Sequence, residues 1–222
     1  MNKILKVIRL IIIVLCFIVG VGSIIYVMTE RHEQNVQEEV FNELKDVKDK
    51  EVNGEDKVIN NEEGGVLPEY RKLYEENNDL YGWLRIDGTN IDYPVMQTPD
   101  RPNYYLRKNW IGEYSIKGIP YVDERVDENS ENVLVYGHNM DDNTMFGSLP
   151  EYKDILYYKN HRYIEFNTIY EQAKYEVISV SKTVALEDSE LATTTEYYVY
   201  QHVELDTPDE FNKYLDYIKQ NE

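Results

Sequence analysis

Four histidines, one cysteine and one serine near a histidine bound the side-chain chemistry open to this chain. His32 falls in a charged stretch, His161 at the start of a polar loop, and His202 inside the body of a predicted strand. His138 differs, because it follows Val133-Leu-Val-Tyr-Gly137, a short apolar run closed by glycine. Such a run predicts a buried strand, and glycine accepts the backbone angles of a sharp turn. A rigid sheet can then aim the imidazole into a cleft, where it would give and take protons. On residue type alone a lone histidine is more often structural than catalytic. Ser148 lies on the turn that follows, but no Gly-x-Ser-x-Gly elbow surrounds it, so a capping or packing serine is favoured over a hydrolase nucleophile. The single cysteine, Cys16, excludes an internal disulfide and sits in an apolar run. Histidine, cysteine and acid clusters at metal-ligand spacing are absent from the sequence, as is a phosphate-cradling glycine loop. No metal and no cofactor are expected.

The formal net charge is −19, with no basic patch beyond the first nine residues. That excludes the nucleic-acid binders, which need a basic face. Tyrosine is abundant, 21 residues against 5 Phe and 2 Trp. Amphipathic aromatics in that number suit a β-rich domain with a groove for a peptide or glycan, or simply fill strand faces.

Four segments position the chemistry. Residues 1–9 carry Lys3, Lys6 and Arg9 and read as a cytoplasmic basic tail. Residues 10–28 contain no charge, and about 20 apolar residues cross a bilayer as one helix. The basic flank puts the N-terminus in the cytoplasm, and the length and lack of a small-residue cleavage site favour an uncleaved anchor over a signal peptide. Residues 29–66 form an acidic stalk or linker. Val36, Val40, Leu44 and Val47 predict a thin helix to about Lys50, followed by flexible chain to Gly65. The folded domain is expected over 67–222, outside the membrane.

Within it, Pro68 to Asn77 predicts a helix opened by proline. Strands are expected at Asp79–Ile86, Ile91–Met96, Gly118–Val122, Val133–Tyr136, His161–Phe166, Ala173–Val180 and Thr195–Glu204. Pro94 makes the second an edge or bulged strand. Tyr104 to Trp110 reads as a short helix or extended segment, Asp123 to Glu131 as an acidic loop, and Thr144–Leu149 and Tyr152–Tyr158 as short helical turns. Thr207-Pro-Asp-Glu opens a last helix with a cap, a proline and two acids in its first turn. The pattern is mostly β, with a barrel as the expected architecture.

Several of these stretches resemble the class B sortases. They are Tyr-Gly-His-Asn-Met at 136–140, Met-Phe-Gly-Ser-Leu at 145–149, Gly82 to Val95, Tyr104-Tyr-Leu106, and Gly112 to Ser115 followed by Gly118. The resemblance covers roughly Pro68 to Glu222, and the anchor and stalk agree with it. It implies a sortase-like β-barrel with N-terminal helices, held at the cell membrane of a Gram-positive cell by a single N-terminal span. It implies a cysteine transpeptidase: a thiolate attacks the threonine carbonyl of an Asn-Pro-x-Thr-like sorting signal, and a cell-wall precursor amine resolves the thioester. His138 would be the acid and base, and Tyr105 and Leu106 would meet the peptide. An arginine would steady the oxyanion.

The sequence departs from that pattern at its end. The family's cysteine strand and arginine strand would follow the helix at Thr207–Glu222, and Cys16 lies in the apolar segment. The expectation is therefore an incomplete barrel, lacking its last two strands, inactive alone and marginally folded, with exposed strand edges. A non-catalytic, membrane-anchored peptide-binding module is the alternative.

Overall fold

A computed structural model describes residues 2–53, 65–127, 130–182, 198, 200, 202–205 and 207–220. The chain forms two compact units, Met1–Glu43 and Leu44–Glu222. One helix, α1 (Asn2–Asn53), runs without a break through the segment read as the anchor and the stalk helix. Its apolar stretch is long enough to cross a membrane, and no side chain of that stretch is buried by protein.

The second unit takes in the end of α1 from Leu44, then α2 (Pro68–Glu76) and a six-stranded sheet. The strands are β1 (Leu80–Arg85), β2 (Asp92–Met96), β3 (Tyr121–Val122), β4 (Val135–Tyr136), β5 (Tyr163–Thr168) and β6 (Lys174–Glu176). Their order is β4-β3-β2-β1-β5-β6, antiparallel except for β2 beside β3. A 3-10 turn (Tyr104–Arg107), a second one (Leu149–Lys153) and α3 (Ile155–Asn160) lie in the connections, and α4 (Pro208–Gln220) follows.

Proline opens α2 at its first position, and Tyr70 and Leu73 supply its buried face. Capping also matches at α4: Thr207 Oγ1 accepts from the Glu210 amide at 3.2 Å, and the Thr207 amide donates to the Glu210 carboxylate at 3.2 Å, a reciprocal box. The core is centred on β1 and β2, where Trp83, Val95 and Met96 are almost wholly buried. Lys48 stacks on the Trp83 ring at 4.2 Å, and the indole donates to Asp92 at 2.7 Å.

Several expected strands shrink or move. β2 is internal rather than an edge strand; Pro94 is tolerated because β3 touches β2 only at Met96, and the register shift falls between Leu80 and Gly82 on β1. The run Gly118–Val122 keeps only two strand residues, since Gly118 takes a left-handed φ of 58° and Pro120 has no amide proton to donate. The run before His138 gives a two-residue strand that is half-buried, not buried, because β4 is one edge of the sheet among the described residues. β6 is the other edge and is exposed along its whole length, so the expected half-buried alternation there fails. The strand expected at Thr195–Glu204 lies largely outside the described residues; those described, Tyr198, Tyr200 and His202 to Glu204, are in no strand.

Between the edges lies an open groove of about 420 Å³. Leu84, Ile86, Val135, Phe146, Phe166 and Tyr175 line it, on β1 and the residue after it, β4, β5, β6 and the loop after β4.

Candidate active site

His138 stands two residues beyond β4, half-buried, on a hairpin-like loop closed by the Phe146 amide donating to the His138 carbonyl at 2.9 Å. Asn139 and Met145 bridge across the same loop. Gly137 allows the turn in a direct way: a Cβ there would sit 2.6 Å from the Phe146 ring. The imidazole Nε2 lies 2.9 Å from the Leu106 carbonyl. A carbonyl only accepts, so Nε2 carries the proton in this contact, and Nδ1 of a neutral ring is left with its lone pair. The ring is thus set to take a proton at Nδ1.

Leu106 belongs to the first 3-10 turn and is 38% exposed beside the histidine. Tyr105, from the same turn, is 2% exposed and points into the core. Its hydroxyl donates to Asp79 at 2.8 Å and accepts from Asn77 at 3.1 Å, and its carbonyl accepts the Ile119 amide. Burial pushes that phenol well above its ordinary range, with the Asp79 carboxylate adding to it. Tyr105 therefore holds the turn from below, while Leu106 presents side chain and carbonyl to the site. Gly118 closes the arrangement from the other side. With φ at 58°, it fits against the Leu106 carbonyl where a Cβ would collide. Gly118→Ala is expected to cost at least about 2 kcal/mol from left-handed backbone plus steric displacement, read as a lowered urea midpoint.

Beneath the strand end lies a carboxylate that the sequence hid in an acidic loop. Asp123 is 3% exposed. It accepts from the Arg125 amide at 2.9 Å, from the Arg125 guanidinium at 2.8 and 2.7 Å, and from the Tyr136 hydroxyl at 2.7 Å. Burial would raise its pKa, but these four donors prevail and hold it down to about 2. The signal available in the sequence was the Asp-x-Arg spacing directly after an apolar strand.

The other candidates fall elsewhere. His161 bonds the Asp87 carbonyl at 2.8 Å, His202 is lowered in pKa by burial, and His32 is exposed on α1. Ser148 is 7% exposed and its hydroxyl has no hydrogen-bond partner, so there is no serine–imidazole pair for nucleophilic attack. Cys16 is exposed on α1. No cluster of three metal-ligating side chains occurs among the described residues.

The sheet order, with a histidine just beyond the end of β4, is the setting in which the comparisons with known proteins are read. The sortase domain family matches residues 84–219. The chain belongs to the sortase family, and to its class B. It is 31% identical over 156 residues to sortase B of Staphylococcus aureus, covering 69% of this chain and 59% of that protein. It is 32% identical over 173 residues to sortase B of Listeria monocytogenes, covering 77% and 65%. The chain thus spans about six-tenths of the length of these curated relatives. Among solved structures, sortase B from Bacillus anthracis in complex with AAEK1 superposes with a TM-score of 0.67 at 28% identity, over 86% of this chain and 81% of that one. A Staphylococcus aureus sortase B–substrate complex gives 0.71 at 24% identity, over 86% and 80%, a likeness of fold.

Proposed function

We propose that this chain carries the histidine half of a membrane-anchored, class B sortase-type transpeptidase. It would act on an Asn-Pro-x-Thr-like sorting signal and join the threonine to an amine of the cell wall. A thiolate attacks the threonine carbonyl carbon; the peptide C–N bond breaks as His138 gives a proton to the leaving amine. An incoming amine then attacks the thioester, His138 takes its proton, and the sulfur leaves as thiolate. Cys16, the one cysteine of these 222 residues, lies in the apolar segment and is not read as that thiolate. Leu106 borders the bound threonine, and Tyr105 supports it from the core.

The observation that carries this reading is the place of His138: at the end of edge strand β4, whose Val135 borders the open apolar groove. A further strand seated there would bring a side chain beside the imidazole. An apolar N-terminal helix preceded by a basic tail supports a domain on the outer face of the membrane. The alternative, a module that binds the signal without reacting, draws on the position of the lone cysteine.

Membranes of the cell that makes the chain, given an Asn-Pro-x-Thr peptide and hydroxylamine, test both. Transpeptidation yields a threonine hydroxamate that thiol alkylation abolishes. Peptide retained without cleavage favours the binding module, and neither product nor retention overturns both readings.

A further inference from the structure

The loop that carries His138 is pinned by an ion pair that proton transfer does not itself use. Lys117 lies between the first 3-10 turn and β3, and its side chain is only 8% exposed. Its ammonium donates to Asp142 Oδ2 at 2.7 Å. Asp142 sits in the turn after His138, where its Oδ1 also accepts from the Thr144 amide at 3.1 Å and the Thr144 hydroxyl at 2.5 Å. Burial alone would push the Asp142 carboxyl up; the Lys117 and Thr144 bonds prevail and hold it below the ordinary carboxylate range.

A shielded ammonium is costly unless paired, and a pair whose carboxylate is 44% exposed gives little net stability. What such a pair does supply is a fixed geometry. The turn it fixes needs holding. Asn143 and Met145 have φ of 61° and 50°, and Met145 is 2% exposed. Left-handed backbone is common for asparagine and strained for methionine, and persists only where the surroundings over-determine it. The Met145 amide donates to the Tyr93 hydroxyl at 3.2 Å, a second restraint. At its other end, Lys117 is followed by Gly118, which packs on the Leu106 carbonyl that receives His138 Nε2. One ion pair therefore joins the two segments whose relative placement sets the ring.

We propose that Lys117 and Asp142 are positioning residues: their ion pair holds the strained 141–145 turn against the Leu106–Gly118 segment and so keeps the His138 ring in one orientation, Nε2 on Leu106. This rests on the reading of His138 as the proton-handling group, but its test measures the ring and not turnover, so the two can fail separately.

The full chain, labelled with 15N-histidine in detergent micelles, is read by ring-nitrogen NMR at about pH 8, where an ordinary imidazole is neutral. His138→Gln identifies the His138 signals. The native chain gives a single Nε2–H tautomer at His138. Lys117→Met and Asp142→Asn each lose it to a mixture of tautomers. Lys117→Asp combined with Asp142→Lys restores it, which a merely volumetric role would not. A native ring signature in either single variant, or a folded swap that leaves the ring mixed, overturns the proposal. Should the single variants unfold, Lys117→Met with Asp142→Leu decides, since it buries no unpaired charge: a mixed ring supports the proposal and a native one overturns it.

Discussion

Exchanging His138 for alanine is expected to lower threonine hydroxamate formation by about 10³-fold or more, with retention of the peptide changed by no more than about twofold. The size follows from the number of proton transfers that the proposed reaction would route through one ring. The departing amine is a poor leaving group until protonated, and the incoming amine must lose a proton as it attacks. A positioned general acid–base contributes about 10²–10⁴-fold to a step of this kind. Peptide retention stays because the Leu106 side chain and most of the groove wall, on β1, β5 and β6, lie on other elements than the loop bearing the ring, and truncating the imidazole leaves Phe146 in place. His138→Gln should behave like alanine, since an amide keeps a donor for the Leu106 carbonyl but cannot shuttle a proton at neutral pH. The measurement is the hydroxamate rate in native membranes at saturating peptide. A loss of only a few-fold would remove His138 from the chemistry and return it to the structural role that a lone histidine usually has.

Much of this geometry was readable from residue order, and the parts that were not share one cause. Local signals survived. Pro68 opens α2, Thr207 and Glu210 cap α4, and the apolar runs of β1, β2 and β5 appear where alternation and turn residues put them. The place of His138 just past a strand end was legible because an apolar strand, a glycine and a histidine are contiguous. Non-local facts were not legible. The run at Gly118–Val122 looks like a strand until Gly118 adopts a left-handed turn forced by the Leu106 carbonyl. β6 alternates in sequence yet buries neither face, because burial depends on what crosses it and not on its own pattern. Tyr105 reads as a groove residue beside Leu106, yet the tight 3-10 turn sends its ring inward and leaves only its neighbour exposed. Lys117, between Ile116 and Gly118, looks like any surface lysine; its partner Asp142 lies 25 positions away in the chain. Asp123 was one acid among several in a loop, and what sets it apart is the Tyr136 hydroxyl arriving from the next strand.

That carboxylate gives the largest stability effect expected outside the apolar core. Asp123→Asn is expected to destabilise the domain by about 2–3 kcal/mol at neutral pH, enough to lower a thermal midpoint by roughly 5–10 °C in a domain of this size. Asparagine keeps one acceptor oxygen, but its amide nitrogen is a donor and would face the Arg125 guanidinium or the Tyr136 hydroxyl, both of which donate to Asp123. Arg125 is 43% exposed on its side chain, so its charge finds water and the loss stays below that of a wholly buried pair. The pH dependence has a defined direction. The carboxyl titrates at about 2 in the fold against 3.8 for an unperturbed aspartate. A depressed pKa means that the folded state favours the ionised form, so the contribution is complete above about pH 4 and is lost as pH falls through about 2. A shift of that size corresponds to about 2 kcal/mol, in line with the mutational loss. The informative quantity is the difference between the native domain and Asp123→Asn. Urea unfolding at stepped pH should show that difference constant from pH 7 to about pH 4 and closing toward pH 2. A difference that persists undiminished at pH 2 would mean the loss comes from packing alone, and that the charge on Asp123 does not hold Tyr136, and with it the root of the His138 loop, in place.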